Sequence, residues 1–122
     1  MSNFLRLDAV KLNATASPNE FEAFVTKELF PAFKAAFAGL PTRKTLAHLD
    51  GVVLLANRSD ADNYTIMSAW SGRLEDVADK DFARITMAEH DEAVAALLKL
   101  ETFGARGDPQ LYEPASGSVE FS

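Results

Sequence analysis

The strongest local signal in this chain is the beginning of one long amphipathic helix. Ser17-Pro18-Asn19-Glu20 forms a capping box, in which the serine hydroxyl accepts from an unpaired backbone N–H, the proline starts the helix and the glutamate reaches back. The apolar residues behind it recur at helical spacing and make a broad stripe: Phe21, Phe24, Val25, Leu29, Phe30, Ala32, Phe33, Ala36 and Phe37. Such a stripe must pack against a sheet or a second helix, and this requirement constrains the rest of the fold.

Proline and glycine predict where that helix bends and where it ends. Pro31 falls inside the apolar pattern, where it removes one backbone hydrogen bond and costs about 3 kcal/mol in an unbroken helix. We therefore expect a kink or a break near Leu29. Gly39-Leu40-Pro41 supplies a left-handed cap and a residue that cannot continue the helix, which predicts its end.

Three segments around this helix are typical of strands. Phe4 to Asn13 has apolar residues on both parities, which indicates a strand with both faces partly covered, or one bulge. Thr45 to Ala56 permits two interpretations, since Asp50-Gly51 is either a two-residue hairpin turn or a bulge in one bent strand; we favour the bent strand. The polar turn over Asn57 to Asn63 joins it to a strand over Tyr64 to Trp70, which predicts a hairpin.

The C-terminal part predicts a helical region and one more strand. Apolar residues recur at helical spacing from Leu74 to Leu100, and we expect two helical pieces that meet near His90. Thr102 to Tyr112 holds a last strand, which is irregular or at an edge because it contains Gly104, Gly107 and Pro109. We expect one domain over residues 1–113 and a flexible tail over residues 114–122.

The order of these elements, β-α-β-β-α-β, predicts an α+β fold of the ferredoxin-like type. In that fold an antiparallel sheet carries two helices on one face and leaves its second face bare. The strands offer apolar residues to both faces of the sheet: Val10, Leu12, Val52 to Leu55, Ile66, Met67 and Trp70. An apolar bare face needs a partner, and we expect a second copy of the chain, in a homodimer.

Charge and composition exclude several classes of function. The net charge of −6 repels phosphate backbones and anionic lipid surfaces, so neither nucleic acid nor a membrane is an expected partner. The chain has no cysteine, which removes disulfides, zinc-thiolate sites, iron–sulfur clusters and thiol nucleophiles. The longest uncharged apolar run, Val52 to Ala56, is too short to cross a bilayer, and we expect a cytoplasmic protein.

His48 and Asp50 are the candidate catalytic pair. Residues two apart on an undistorted strand point to the same face, where the carboxylate would orient the imidazole and raise its basicity. This arrangement favours a modest general base. The alternative is that both side chains lie at a solvated strand end.

The candidate substrate-binding residues are Tyr64, Trp70 and Arg106. Tyr64 and Trp70 share one strand face and could line a pocket with an apolar wall and polar tips, although core or dimer packing also explains them. Arg106 is placed to clamp an anionic substrate at the pocket rim, or to pair with Asp108 at the surface. His90 has no second histidine or carboxylate pair at ligand spacing, so we expect no bound metal.

The chain resembles the dimeric α/β-barrel superfamily from Phe4 to about Tyr112. The resemblance rests on the element order, on the strand that ends at Trp70, and on two helical segments: Glu20-Phe21-Glu22-Ala23-Phe24-Val25 through Leu29-Phe30-Pro31-Ala32, and Ala88-Glu89-His90. It implies two ferredoxin-like subunits packed sheet to sheet, with one pocket in each. Members include cofactor-free monooxygenases of antibiotic biosynthesis, haem-degrading oxygenases and muconolactone isomerases, so the shared fold leaves the chemistry open.

The sequence therefore leaves two candidate functions. The first is a dimer that binds or oxidises a small apolar or aromatic molecule, in the manner of the cofactor-free monooxygenases, with no metal and no cofactor. The second is a non-catalytic dimer with a role in interaction or regulation, since no strong catalytic constellation is present in the sequence.

Overall fold

An antiparallel sheet is built around the first strand, β1 (Ser2–Leu12). The structure is a computed structural model that describes residues 2–38, 47–73, 75, 77 and 90–113. The other strands are β2 (His48–Ala56), β3 (Asn63–Gly72), β4 (Gly104–Arg106) and β5 (Gln110–Tyr112). The strand order is β2-β3-β1-β4, and β5 also pairs with β1. Strand β1 thus pairs on one side with β3 along nearly its whole length, and on the other side with two short strands.

The first helical segment consists of α1 (Pro18–Phe24), a π-helical turn (Val25–Leu29) and α2 (Phe30–Phe37). Ser17 caps α1 by accepting a hydrogen bond from the Glu20 N–H at 3.3 Å, as the capping box predicts. The π turn closes when the N–H of Phe30 donates to the carbonyl of Val25, five residues earlier. Pro31 has no N–H to offer the preceding turn, so the irregularity that the sequence predicts near Leu29 takes the form of a wider turn.

Strand β2 is one strand with a bulge. Leu49 lies opposite Trp70 and Gly51 lies opposite Ala69, so Asp50 is an extra residue between two consecutive pairs. The favoured interpretation, a bent strand, is therefore correct, and Asp50-Gly51 is not a hairpin turn. Strands β2 and β3 form the predicted hairpin.

The C-terminal part contains helix α3 (Asp91–Phe103), followed by β4 and β5. The prediction that the last strand begins at Thr102 is wrong, because α3 continues to Phe103, whose ring packs on Phe21 and Phe24. The two short strands are interrupted at residues 107–109, which agrees with the predicted irregularity. The helical piece before His90, the helix end at Gly39-Leu40-Pro41 and the tail lie outside the described residues.

The helices cover one face of the sheet, which we call the covered face. Even-numbered residues of β1 and β3 point to it and are buried with the helical stripe, as in Phe4, Val10, Ile66 and Trp70. The opposite side, here called the outer face, carries apolar side chains that remain exposed in the single chain: Leu5, Val53, Leu55 and Tyr112. In the part of the chain that the structure describes, no helix has the length and apolar character needed to span a membrane.

We predict that Gly104→Ala destabilises the fold. A Cβ at Gly104 would overlap the carbonyl oxygen of Lys11 and come within 2.9 Å of the Cα of Leu12, because β4 lies close to β1 there. Overpacking of this kind costs roughly 1–3 kcal/mol, measured as a lower midpoint of urea unfolding.

Gly51→Ala is the matched control, since a Cβ at Gly51 meets nothing within 4 Å. Its free energy of unfolding should stay within about 0.5 kcal/mol of the parent chain. Equal effects of the two substitutions would contradict the close approach at Gly104.

Candidate functional site

Two charged side chains of β1 lie under the helices. Arg6 and Asp8 share the parity of Phe4 and Val10, and the whole Arg6 residue is only 4% exposed. Arg6 donates from Nε to Asp8 Oδ2 at 3.0 Å and from Nη2 to Asp8 Oδ1 at 3.1 Å, and its Nη1 donates to the carbonyl of Val77 at 2.8 Å. Buried ion pairs seldom stabilise a fold more than apolar residues of equal volume would. An ion pair at the centre of the covered face therefore marks a candidate site.

Strand β3 adds a polar contact beside this pair. Ser68 lies opposite Arg6 in the sheet and is itself buried. The indole Nε1–H of Trp70 donates to Ser68 Oγ at 2.7 Å, and the Phe37 ring meets the indole edge-on with centroids 5.5 Å apart. The hydrogen bond and the aromatic contact both hold the indole in place.

These side chains line an internal cavity of about 40 Å³ between the sheet and the helices. Of the described residues that line it, four are charged or carry a hydroxyl: Arg6, Asp8, Ser68 and Arg106. The others are apolar or aromatic: Phe33, Phe37, Leu49, Val52, Ile66, Trp70, Leu97 and Leu100. A water molecule needs about 10–15 Å³ of such space, whereas a cavity that holds benzene measures about 150 Å³. The cavity by itself therefore fits a polar group of a few atoms and is too small for a ring.

A larger groove of about 680 Å³ adjoins the cavity between α2 and β2. Phe37, Leu49 and Val52 line both spaces, so one wall of side chains separates them. The groove is further lined by Thr26, Phe30, Pro31, Lys34, His48 and Asp50. Its volume lies in the range typical of small-molecule sites.

His48 and Asp50 meet at the mouth of this groove. His48 Nδ1 lies 2.8 Å from Asp50 Oδ1, and the two side chains are 53% and 42% exposed. The contact forms although the bulge at Asp50 breaks the simple alternation of the strand. A carboxylate at Nδ1 favours the tautomer with the proton on that nitrogen, which leaves Nε2 able to accept a proton.

Tyr64 lies at the far end of β3 and is not among the residues that line the cavity or the groove. Six residues of a strand separate it from Trp70, about 20 Å along the strand. Its hydroxyl donates to Glu22 at 2.9 Å, and its ring packs on Phe21 with centroids 4.9 Å apart. The structure thus gives Tyr64 a place in the core beneath α1, away from the groove.

Arg106 lies on β4 opposite Val10 of β1, and Val10 is two residues beyond Asp8 on that strand. Arg106 also lines the cavity. Its side chain is 15% exposed, and its Nη2 is 3.9 Å from Glu101 Oε1. Of the five site residues suggested by the sequence, two therefore line the cavity, Trp70 and Arg106. Two others line the adjoining groove, His48 and Asp50.

Sequence reasoning missed Arg6, Asp8 and Ser68. The signal was available in the alternation of the strands, since Arg6 and Asp8 share a parity with Phe4 and Val10, and Ser68 shares one with Trp70. His90, at the N-cap position of α3, is exposed. Among the described residues, no group of three or more histidine, cysteine, aspartate or glutamate side chains is arranged to hold a metal.

Solved structures with this architecture identify the fold. SnoaB from Streptomyces nogalater, a cofactor-independent oxygenase, aligns over 98% of this chain and 100% of its own, with a TM-score of 0.59 and 18% identity. A NIPSNAP family protein from Agrobacterium tumefaciens aligns over 95% of this chain and 96% of its own, with a TM-score of 0.65 and 14% identity. The chain shares the ferredoxin-like α+β fold of these structures.

A second NIPSNAP family protein from Agrobacterium tumefaciens, of unknown function, aligns over 96% of this chain and 92% of its own, with a TM-score of 0.63 and 17% identity. No protein-family profile and no curated protein matches the chain. At these identities the likeness establishes the ferredoxin-like fold and leaves the reaction open.

We predict that Tyr64 keeps its proton to unusually high pH. Burial first, and the neighbouring Glu22 carboxylate second, raise the pKa of Tyr64 to about 12. An unfolded tyrosine ionises near pH 10, whereas folded Tyr64 keeps its proton until about pH 12. The contribution of Tyr64 to the free energy of unfolding is therefore fully present below about pH 10 and is lost as the pH rises to about 12. The lost stability amounts to about 2–3 kcal/mol.

An absorbance titration at 295 nm measures this ionisation. The phase near pH 12 should disappear in Tyr64→Phe and persist in Tyr112→Phe, since Tyr64 and Tyr112 are the two tyrosines of the chain. A Tyr64→Phe chain that retains this phase would refute the assignment.

Proposed function

We propose that this protein binds a small apolar or aromatic molecule where the groove meets the cavity. The observation that carries the proposal is the polar cluster of Arg6, Asp8 and Ser68 beside Trp70, buried in an otherwise apolar cavity that adjoins an open groove. A mostly apolar concave space with a few converging polar groups is the usual form of a small-molecule site.

The two volumes suggest how a ligand would lie. The ring needs more space than the cavity has, so it would occupy the groove against Phe37, Leu49 and Val52. A polar substituent on the ring would then extend towards Ser68 and Arg6 in the cavity. Movement of the Phe37 side chain would open the wall between the two spaces.

The chemistry that this arrangement favours is oxidation by molecular oxygen with no metal. In this reaction an electron-rich substrate is held beside oxygen, and His48 accepts its proton with Asp50 hydrogen-bonded to the opposite ring nitrogen. The substrate anion then reduces oxygen and joins to it as a hydroperoxide, which regains the proton and loses water, so that one oxygen atom stays on the substrate as a carbonyl and the other leaves as water. SnoaB, a cofactor-independent oxygenase whose fold spans nearly the whole of this chain, supports the proposal. The other proposed contacts are Trp70 as the aromatic wall and Arg106 as the polar end of the site.

A non-catalytic dimer is the second candidate. The observation that favours it is the outer face, where Val53 and Leu55 are exposed two residues apart on β2 and Leu5 is exposed on β1, with β3 between the two strands. Apolar side chains grouped in this way are typical of a protein interface, and a second copy is the simplest partner. A homodimer is compatible with both candidate functions, because the proposed ligand lies on the opposite side of the sheet.

We predict that 2-naphthol binds in the groove and that Val52→Phe blocks it. Val52 lines both the groove and the cavity, so the larger side chain fills the space proposed for the ring. Calorimetry should show affinity lowered about tenfold or more, equivalent to about 1.4 kcal/mol. Emission from Trp70, the single tryptophan of the chain, reports whether the ligand lies beside the cavity.

Val53→Phe is the matched control, because the next residue of β2 points to the outer face. Binding by this variant should stay within about twofold of the parent chain, a difference of about 0.4 kcal/mol. If Val52→Phe and His48→Ala leave the binding of every small aromatic ligand unchanged, this site is not the binding site.

We predict that the chain sediments as a dimer and that Leu55→Glu shifts it towards the monomer of 13.3 kDa. A charge at an exposed leucine of the outer face would be buried without a partner in the interface, which is unfavourable. Leu98→Glu is the control, since Leu98 is even more exposed than Leu55, 55% against 42%, but lies on α3. A monomeric parent chain at micromolar concentration would eliminate the sheet-to-sheet dimer.

A further inference from the structure

We propose that the ligand of this site is a monoanion, an apolar ring that carries one acidic oxygen group bound by Arg106. The inference rests on the proposed function and specifies the class of ligand. It follows from the charges of the cavity wall, from the distances between them and from the path of the cavity across the sheet.

Among the described residues, three charged side chains line the cavity, and two of them pair with each other. Asp8 receives hydrogen bonds from Arg6 at both carboxylate oxygens, at 3.0 and 3.1 Å, and Arg6 Nη1 donates to the Val77 carbonyl. Charge-assisted contacts with this fork geometry hold the two charges together. The third group, Arg106, has no carboxylate paired with it among the described residues of the cavity wall.

Arg106 is only loosely paired with the carboxylate of Glu101. Glu101 Oε1 lies 3.9 Å from Nη2, beyond the 2.7–2.9 Å typical of a charged N–H···O bond. Glu101 is also exposed to solvent and is not among the residues that line the cavity. A planar guanidinium that is mostly removed from water and only loosely paired is suited to a bidentate contact with a carboxylate or a similar acidic group.

The cavity leads from the groove to Arg106. Its lining residues come from four neighbouring strands, from Leu49 and Val52 on β2 to Arg106 on β4. Three inter-strand spacings give about 14 Å across the sheet, and the four residues of β1 from Arg6, in line with Val52, to Val10, opposite Arg106, add about 13 Å along it. The Cα atoms of Val52 and Arg106 are thus roughly 20 Å apart, part of which the long arginine side chain covers. A ring in the groove can therefore reach the guanidinium only with an acidic group at the end of a slender arm that passes through the cavity, and the single charge of Arg106 matches a single negative charge.

The test compares 6-(2-naphthyl)hexanoate with its neutral amide, 6-(2-naphthyl)hexanamide, in calorimetric titrations of the full chain. The two probes share the ring and the arm and differ in charge at the end of the arm. The parent chain should bind 6-(2-naphthyl)hexanoate about tenfold more tightly, the usual effect of a hydrogen bond to a charged group. Arg106→Gln should remove this preference, and Arg106→Lys, which keeps the charge without the fork, should retain part of it.

Arg58→Gln is the control variant, because Arg58 is exposed in the turn between β2 and β3 and its loss changes the net charge equally. It should leave the preference for 6-(2-naphthyl)hexanoate intact. Equal binding of the two probes by the parent chain, or an equal loss in Arg58→Gln and Arg106→Gln, would overturn the inference while leaving the aromatic site in place. If neither probe nor 2-naphthol binds, the proposed function itself fails.

Discussion

The pairing of β1 with strands on both of its edges is the constraint on which the rest of the structure depends. Because β1 is held by β3 on one side and by β4 and β5 on the other, its even-numbered side chains point beneath the helices with no freedom to turn. This places Phe4 and Val10 in the core, and it places Arg6 and Asp8 there as well. A shift of one residue would expose the core and bury the outer face instead.

Two local irregularities form the two sides of the groove. The π-helical turn at Val25–Leu29 and the bulge at Asp50 each add backbone that a regular helix or strand would not contain. Thr26 belongs to the first and Asp50 to the second, and both line the groove. The departures from regular structure thus coincide with polar groups at the candidate site, while the regular parts of the same elements supply its apolar wall.

The sheet separates two kinds of surface that point to different partners. Its covered face combines apolar side chains with a paired Arg6 and Asp8 and with Arg106, which suits a small ligand with one polar end. Its outer face is apolar and exposed, which suits a flat partner such as a second sheet. Because the chain has a net charge of −6, the proposed anionic ligand would be selected by short-range contact with Arg106 rather than by long-range attraction.

The sequence by itself determined the elements that rest on local rules. The capping box at Ser17, the irregular helix before Pro31, the bulged β2 and the hairpin to Trp70 all follow from neighbouring residues, and their order predicts the α+β fold. Tertiary structure decided the end of α3 at Phe103, where ring packing on Phe21 and Phe24 extends the helix, and the placement of Tyr64 against Glu22. Tertiary structure also decided which residues form the candidate site. The apolar residues of β1 occur on both parities, so the sequence pattern of this strand could not tell which of its faces the helices cover. Trp70, Arg106, His48 and Asp50 could be proposed from residue type, but the cavity that joins Trp70 and Arg106 to Arg6, Asp8 and Ser68 exists only once distant strands are paired.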